Sequence, residues 1–89
     1  MITAVVLITA EKDALPKLGE ELAAIPGVSE VYSVTGEFDF IAMVRAHQHE
    51  ELADIVTARI AQTHGVARTH THVAFRAYSR HDLETFFAP

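Results

Sequence analysis

The sequence predicts an α+β fold of the ferredoxin-like kind, in which βαββαβ order gives an antiparallel four-stranded sheet with two helices on one face. Three observations predict it. Two nearly continuous apolar runs, residues 2–8 and 38–44, read as central strands, because a strand covered on both sides has little use for polar side chains. Two amphipathic helical stretches, residues 14–25 and 50–63, each follow one of these runs. Pro26-Gly27-Val28 and His64-Gly65-Val66 then leave the two helices in the same way, so the chain reads as one β-α-β unit used twice.

The first strand covers residues 2–9, rich in β-branched Ile2, Val5, Val6 and Ile8. It is too short for a membrane span and lacks the basic flank and cleavage pattern of a signal peptide, so a buried strand is expected. Glu11-Lys12-Asp13 ends it. Asp13 is the expected N-cap of the first helix, with Pro16 in the first turn, where no intrahelical bond is lost. Leu15, Leu18, Leu22 and Ile25 form the stripe to be buried, while Lys17, Glu20 and Glu21 fall off it.

Residues 28–35 include Ser29, Glu30, Ser33 and Thr35 and therefore read as an edge strand. A tight hairpin turn at Gly36 leads into the second apolar run, the other central strand. Arg45-Ala46-His47-Gln48-His49 is the connector to the second helix, whose stripe is Leu52, Ile55, Val56 and Ile60 and whose C-cap is Gly65. Residues 66–78 alternate Arg68, His70, His72, Ala74 and Arg76 against Thr69, Thr71, Val73, Phe75 and Ala77, a long final strand. Ser79 is expected to cap a short last helix that docks on a neighbouring surface through Leu83, Phe86 and Phe87. The expected organisation is one domain over residues 1–78 and an extension over 79–89.

Two helices cover only one face of such a sheet. Since the central strands are apolar on both sides, the other face calls for a second copy packed sheet to sheet, a dimeric α+β barrel. A domain of 89 residues gains appreciably from that added burial.

Composition closes off several functions. With 49% hydrophobic and 21% charged residues the chain is a folded domain rather than a disordered one. A net charge of −5 and seven scattered Lys and Arg residues give no surface for duplex DNA. Without cysteine there is no disulfide framework, thiolate metal site or thiol nucleophile, and a reducing, cytoplasmic setting is expected. His70 and His72 share a strand face, with His64 or His81 beyond them, but a metal normally wants three or four convergent ligands, so neither metal nor other cofactor is assigned. No Ser-His-Asp order, phosphate loop or dinucleotide fingerprint is present. That leaves Thr35-Gly36-Glu37-Phe38-Asp39, where a glycine that permits close backbone approach sits beside two carboxylates. Plain turn chemistry and a ligand site both explain it.

Ile25-Pro26-Gly27-Val28, Val31-Tyr32-x-Val34-Thr35-Gly36-Glu37-Phe38-Asp39, Val44-Arg45-Ala46, Glu50-Glu51-Leu52 and Gly65-Val66-x-x-Thr69-x-Thr71 together carry a resemblance. Over residues 2–77 the chain resembles the stand-alone effector-binding domain of the Lrp/AsnC family of transcriptional regulators, also called the RAM domain. The resemblance implies a sheet-to-sheet homodimer, often assembled into octamer-like rings, with amino acids or related small metabolites bound between dimers near the glycine turn. Carried over by position, Thr35, Gly36, Glu37, Phe38 and Asp39 form the effector loop, and Thr69 and Thr71 the facing strand. Backbone N–H groups around Gly36 suit the effector's carboxylate, and Asp39 or Glu37 its ammonium.

Full-length members of that family begin with a helix-turn-helix, whereas this sequence starts at the first strand, so DNA binding is not expected of it alone. The expected function is a non-enzymatic amino-acid-sensing and oligomerisation module linked to transcriptional regulation, working beside full-length Lrp/AsnC regulators. The alternative is a small dimeric α+β barrel enzyme of monooxygenase or isomerase type, which needs a deep pocket between helices and sheet lined by His and aromatic residues. A third reading is a purely structural oligomerisation unit whose loop binds nothing.

Overall fold

Strand β1, Ile2–Ala10, alternates fully buried Ala4, Val6 and Ile8 with half-buried Thr3, Val5 and Leu7. The computed structural model describes residues 1–78 and Arg80. β1 pairs antiparallel on one side with β3, Phe40–Ala46, and on the other with β4, Val66–Val73, while β2, Val28–Ser33, lies outside β3. The resulting order, β2-β3-β1-β4, sets the two apolar strands at the centre and the two polar ones at the edges, as the sequence predicts. Both helical segments pack on one face. The cross-strand partners of Ala4, Val6 and Ile8 on β3 are Val44, Ala42 and Phe40, so these six side chains share that face and are buried with Leu18, Leu22, Leu52, Ile55 and Ile60. Burying each of the larger ones contributes roughly 1.5–3 kcal/mol. No polar or charged side chain is buried among the described residues.

Several boundaries differ from expectation. Asp13 does not cap the first helix. Instead Lys12–Ala14 forms a single tight turn in which Ala14 N–H bonds Glu11 O at 3.0 Å, and helix α1, Leu15–Ala23, follows with Pro16 in its first turn. The backbone bond satisfies the donor that a cap would have taken. Leu15 is 40% exposed and not part of the core. Helix α2, His49–Ala53, starts after Gln48, and Glu51 reaches back to accept the His47 N–H at 3.0 Å. It continues as wider π turns over Asp54–Ile60, with Ala61 N–H bonding Val56 O.

β3 runs through Arg45 and Ala46, which the sequence reading placed in a connector. β4 stops at Val73, short of the expected residue 78, and among the described residues it pairs with β1 alone. The last pair sets Val73 opposite Ala4, one further bond runs from Ala74 N–H to Thr3 O at 2.8 Å, and the ladder goes no further along β1. Beyond it Phe75 is fully exposed. The expected docking helix with Leu83, Phe86 and Phe87 lies outside the described residues.

Among the described residues no helix lies on the second face of the sheet. Half-buried Val5, Leu7, Ile41 and Met43 form its apolar centre. Arg68, His70 and His72 border it along β4, and Glu30 and Tyr32 along β2.

Candidate functional site

The expected tight turn at Gly36 is a broader loop over residues 34–39. Its neck is closed by Val34 N–H bonding Asp39 O at 3.0 Å, which is what leaves the residues between free of the ladder. Thr35, Gly36 and Glu37 are exposed, and Phe38 and Asp39 are half-buried. Gly36 has φ +107° and a Cβ there would meet nothing within 4 Å, so the backbone conformation, not crowding, requires glycine. Glu37, next in the chain, is exposed on the same loop.

Asp39 is tied down. Its N–H bonds Ile8 O at 2.9 Å and its carboxylate oxygen Oδ2 accepts the Ala10 N–H at 2.8 Å. Phe38 crosses toward β4, where its ring lies edge-on to His70, with centroids 5.5 Å apart and planes at 69°. Neither His70 nor Ala10 belongs to the residues that the motif match assigned to the site. Alternation carried the signal for His70, because it is opposite Leu7 and so belongs to the helix-free face.

Thr69 and Thr71 are opposite Ile8 and Val6, which places them on the helix side of β4, beyond the cover of the helices. Ile8 also pairs with Phe40, so Thr69 is at the same end of the sheet as the loop but about 10 Å across it, two strand spacings away. One protomer therefore brings Phe38 to His70 and Asp39 to Ala10, and does not bring the loop to the two threonines. Thr69 is half-buried and Thr71 exposed.

On the β2 border of the open face the Tyr32 hydroxyl donates to Glu30 Oε2 at 2.5 Å, and Glu30 Oε1 is 3.9 Å from the Arg45 guanidinium. The bond to Glu30, and then its negative charge, raise the Tyr32 phenol above its ordinary pKa, with Arg45 opposing. Among the described residues no three His, Asp or Glu side chains converge to hold a metal ion, and no helix is long and apolar enough to cross a membrane.

Residues 3–83 match the family model described as the Lrp/AsnC ligand binding domain. An uncharacterized HTH-type transcriptional regulator of Pyrococcus furiosus is 41% identical over 76 residues, 82% of this chain and 51% of the regulator. The chain spans about half the length of the curated relatives it matches. A crystal structure of a protein from Thermus thermophilus aligns with a TM-score of 0.83 at 52% identity, over 90% of this chain and 100% of that one. A feast or famine regulatory protein from M. tuberculosis, complexed with L-methionine, aligns with a TM-score of 0.74 at 30% identity, over 90% of this chain and 54% of that one.

Proposed function

This chain belongs to the Lrp/AsnC ligand-binding domain family, and from that premise we propose that it is a non-enzymatic, amino-acid-sensing oligomerisation module of transcriptional regulation. The observation that carries the proposal is the loop over residues 34–39, which lifts Thr35, Gly36 and Glu37 out of the ladder and presents donors beside a negative charge. A zwitterion asks for that combination. Backbone N–H groups around Gly36 take its carboxylate, and the exposed Glu37 accepts from its ammonium in a charge-assisted bond. Phe38 and Asp39 shape the loop from beneath, and Thr69 and Thr71 close the site from a neighbouring dimer. The complex of the M. tuberculosis relative with L-methionine supports an amino acid as the ligand class.

The apolar centre of the helix-free face, Val5, Leu7, Ile41 and Met43, supports a homodimer packed sheet to sheet, and rings of such dimers bring each loop to another dimer's threonines. The non-enzymatic reading is supported by the apolar packing between helices and sheet, where no polar side chain is buried among the described residues. The likeness to HTH-type regulators supports a cytoplasmic role beside full-length regulators of the family.

A thermal-shift screen of the proteinogenic amino acids, with L-methionine first, tests the proposal. Binding at about a hundred times the dissociation constant adds roughly 2.7 kcal/mol of stability, enough for a clear rise in Tm. No rise with any of them at millimolar concentration overturns the sensing role. Sedimentation as a 9.8 kDa monomer at micromolar concentration overturns the dimer.

A further inference from the structure

β1 and β3 pair from Ile2 opposite Ala46 to Ile8 opposite Phe40, and the ladder ends there. Continued by two residues it would set Ala10 opposite Phe38, with the Phe38 carbonyl on the Ala10 N–H. The chain does something else. With the β1–β3 ladder ended at Ile8, the Ala10 N–H, aimed at β3 like the carbonyl of Ile8, would be left without a strand partner. Asp39 supplies one from its side chain, with Oδ2 at 2.8 Å, while its own N–H holds Ile8 O at 2.9 Å.

We infer that Asp39 is a positioning residue of the effector loop, whose carboxylate stands in for the Phe38 carbonyl on the Ala10 N–H and so releases Phe38 to cross to His70. The inference rests on the effector-loop reading and deepens it. The substitution of a side-chain acceptor for a main-chain one lets the strand end two residues early without an unsatisfied donor. Phe38, no longer needed in the ladder, turns its ring edge-on to His70 across β1, and the loop from Thr35 to Glu37 is presented from a fixed base. What the position requires is an acceptor oxygen at that place, not a charge. The side-chain oxygen of asparagine meets the same need, and alanine offers nothing. The charge left to read an ammonium is that of Glu37, which is exposed.

The test separates the clamp from the binding reaction. In the effector-free parent, NMR-detected hydrogen exchange is expected to show Ala10 protected despite lying past the last β1–β3 pair. Exchange as fast as that of the exposed Thr35 to Glu37 amides overturns the clamp. Asp39→Ala is expected to speed Ala10 exchange about tenfold or more, and to erase the ring-current displacement of the His70 resonances by Phe38. Asp39→Asn restores both.

Calorimetric titration with L-methionine is expected to weaken about tenfold or more in Asp39→Ala, and to return to within about threefold of the parent in Asp39→Asn. An asparagine variant that protects Ala10 yet binds L-methionine as poorly as the alanine variant overturns the inference, because the charge itself is then being read. If the parent binds no L-methionine, the choice of that ligand class is what fails. The clamp is still decided by Ala10 exchange and the His70 resonances.

Discussion

Ala42 and Met43 are adjacent in β3 and face opposite sides of the sheet, and the two sides are built to different requirements. Toward the helices the strands present Ala4, Val6, Ile8, Ala42, Val44 and Ala46, each at 0% exposure. Three of these are alanines, and small side chains let α1 and α2 lie close to the sheet. Away from the helices the same strands present the larger Val5, Leu7, Ile41 and Met43, all half-buried. Nothing within one described protomer explains large apolar residues there. The covered face is specified by the chain's own packing, whereas the open face is the one the proposed homodimer would cover, with His, Arg, Tyr and Glu along its border.

The most severe way to break that comparison is to place the same charge on each side in turn. Ala42→Asp buries a carboxylate with no partner in the helix-side core and is expected to cost roughly 4 kcal/mol or more, a large share of the stability of a domain this size. Circular dichroism should show it unfolded or nearly so. Met43→Asp, one residue on, is expected to cost the protomer only about 1 kcal/mol but to split the proposed dimer, which sedimentation reads directly. Loss of secondary structure in both variants would mean that the protomer has no stability apart from its partner, and that the two faces are not separable in this way.

A smaller effect sharpens the same contrast at two glycines. Gly27, on the helix side, has φ +98°, and a Cβ there would sit 2.3 Å from Ile55 Cδ1. Gly36, in the loop, has φ +107° with nothing within 4 Å. Alanine at either position meets conformational strain of about 1 kcal/mol. At Gly27 it must also displace a buried isoleucine, adding roughly 1–3 kcal/mol. Urea denaturation should therefore show Gly27→Ala with the clearly lower midpoint. Equal losses would mean that Ile55 yields freely and that the packing at this junction is looser than its geometry.

These contrasts also mark what could be read from residue order. The apolar runs of β1 and β3 and the polar edges of β2 and β4 follow from burial, which alternation and run length encode, so topology and core were legible. Helix stripes were legible for Leu18 and Leu22 but not for Leu15, since 3.6-residue periodicity does not say how far a neighbour's cover extends. Asp13 looked like a cap because its type is right, yet a backbone bond from Ala14 took its place. β4 looked longer than it is, because alternation continues past Val73 while the pairing with β1 does not.

At the candidate site the loop residues could be named, and Gly36 was legible as a turn glycine, in keeping with its φ of 107°. The engagement of Asp39 with Ala10, 29 positions away, could not be foreseen. It depends on where a ladder ends and which N–H that leaves over, and neither is written locally. The placement of Thr69 and Thr71 on one side and His70 on the other follows from alternation alone, but their relation to the loop needs the register.

The smallest expected effect probes how far cover on the open face extends. Tyr32 is at its β2 border, exposed in the protomer, and its hydroxyl donates to Glu30 at 2.5 Å. That bond and the Glu30 charge favour the protonated phenol, so the folded-state pKa is above the ordinary value of 10.0. The sign follows from linkage. The contribution to stability is present in full below the unfolded value and fades as pH rises through the raised one. At an exposed site it is screened, so the titration itself is the better readout. Ring resonances of Tyr32 followed by NMR should titrate above 10.0 in the parent, move down in Glu30→Gln and move further up in Arg45→Ala, which removes the opposing charge. A midpoint unmoved by Glu30→Gln would mean that the pair does not persist in solution. In the Met43→Asp variant the midpoint should fall partway, because in the proposed dimer a second copy over β2 would desolvate the phenolate, a contribution that dissociation removes. An unchanged midpoint would place the edge of the proposed dimer interface inside β3, leaving Tyr32 and Glu30 on open surface in that dimer too.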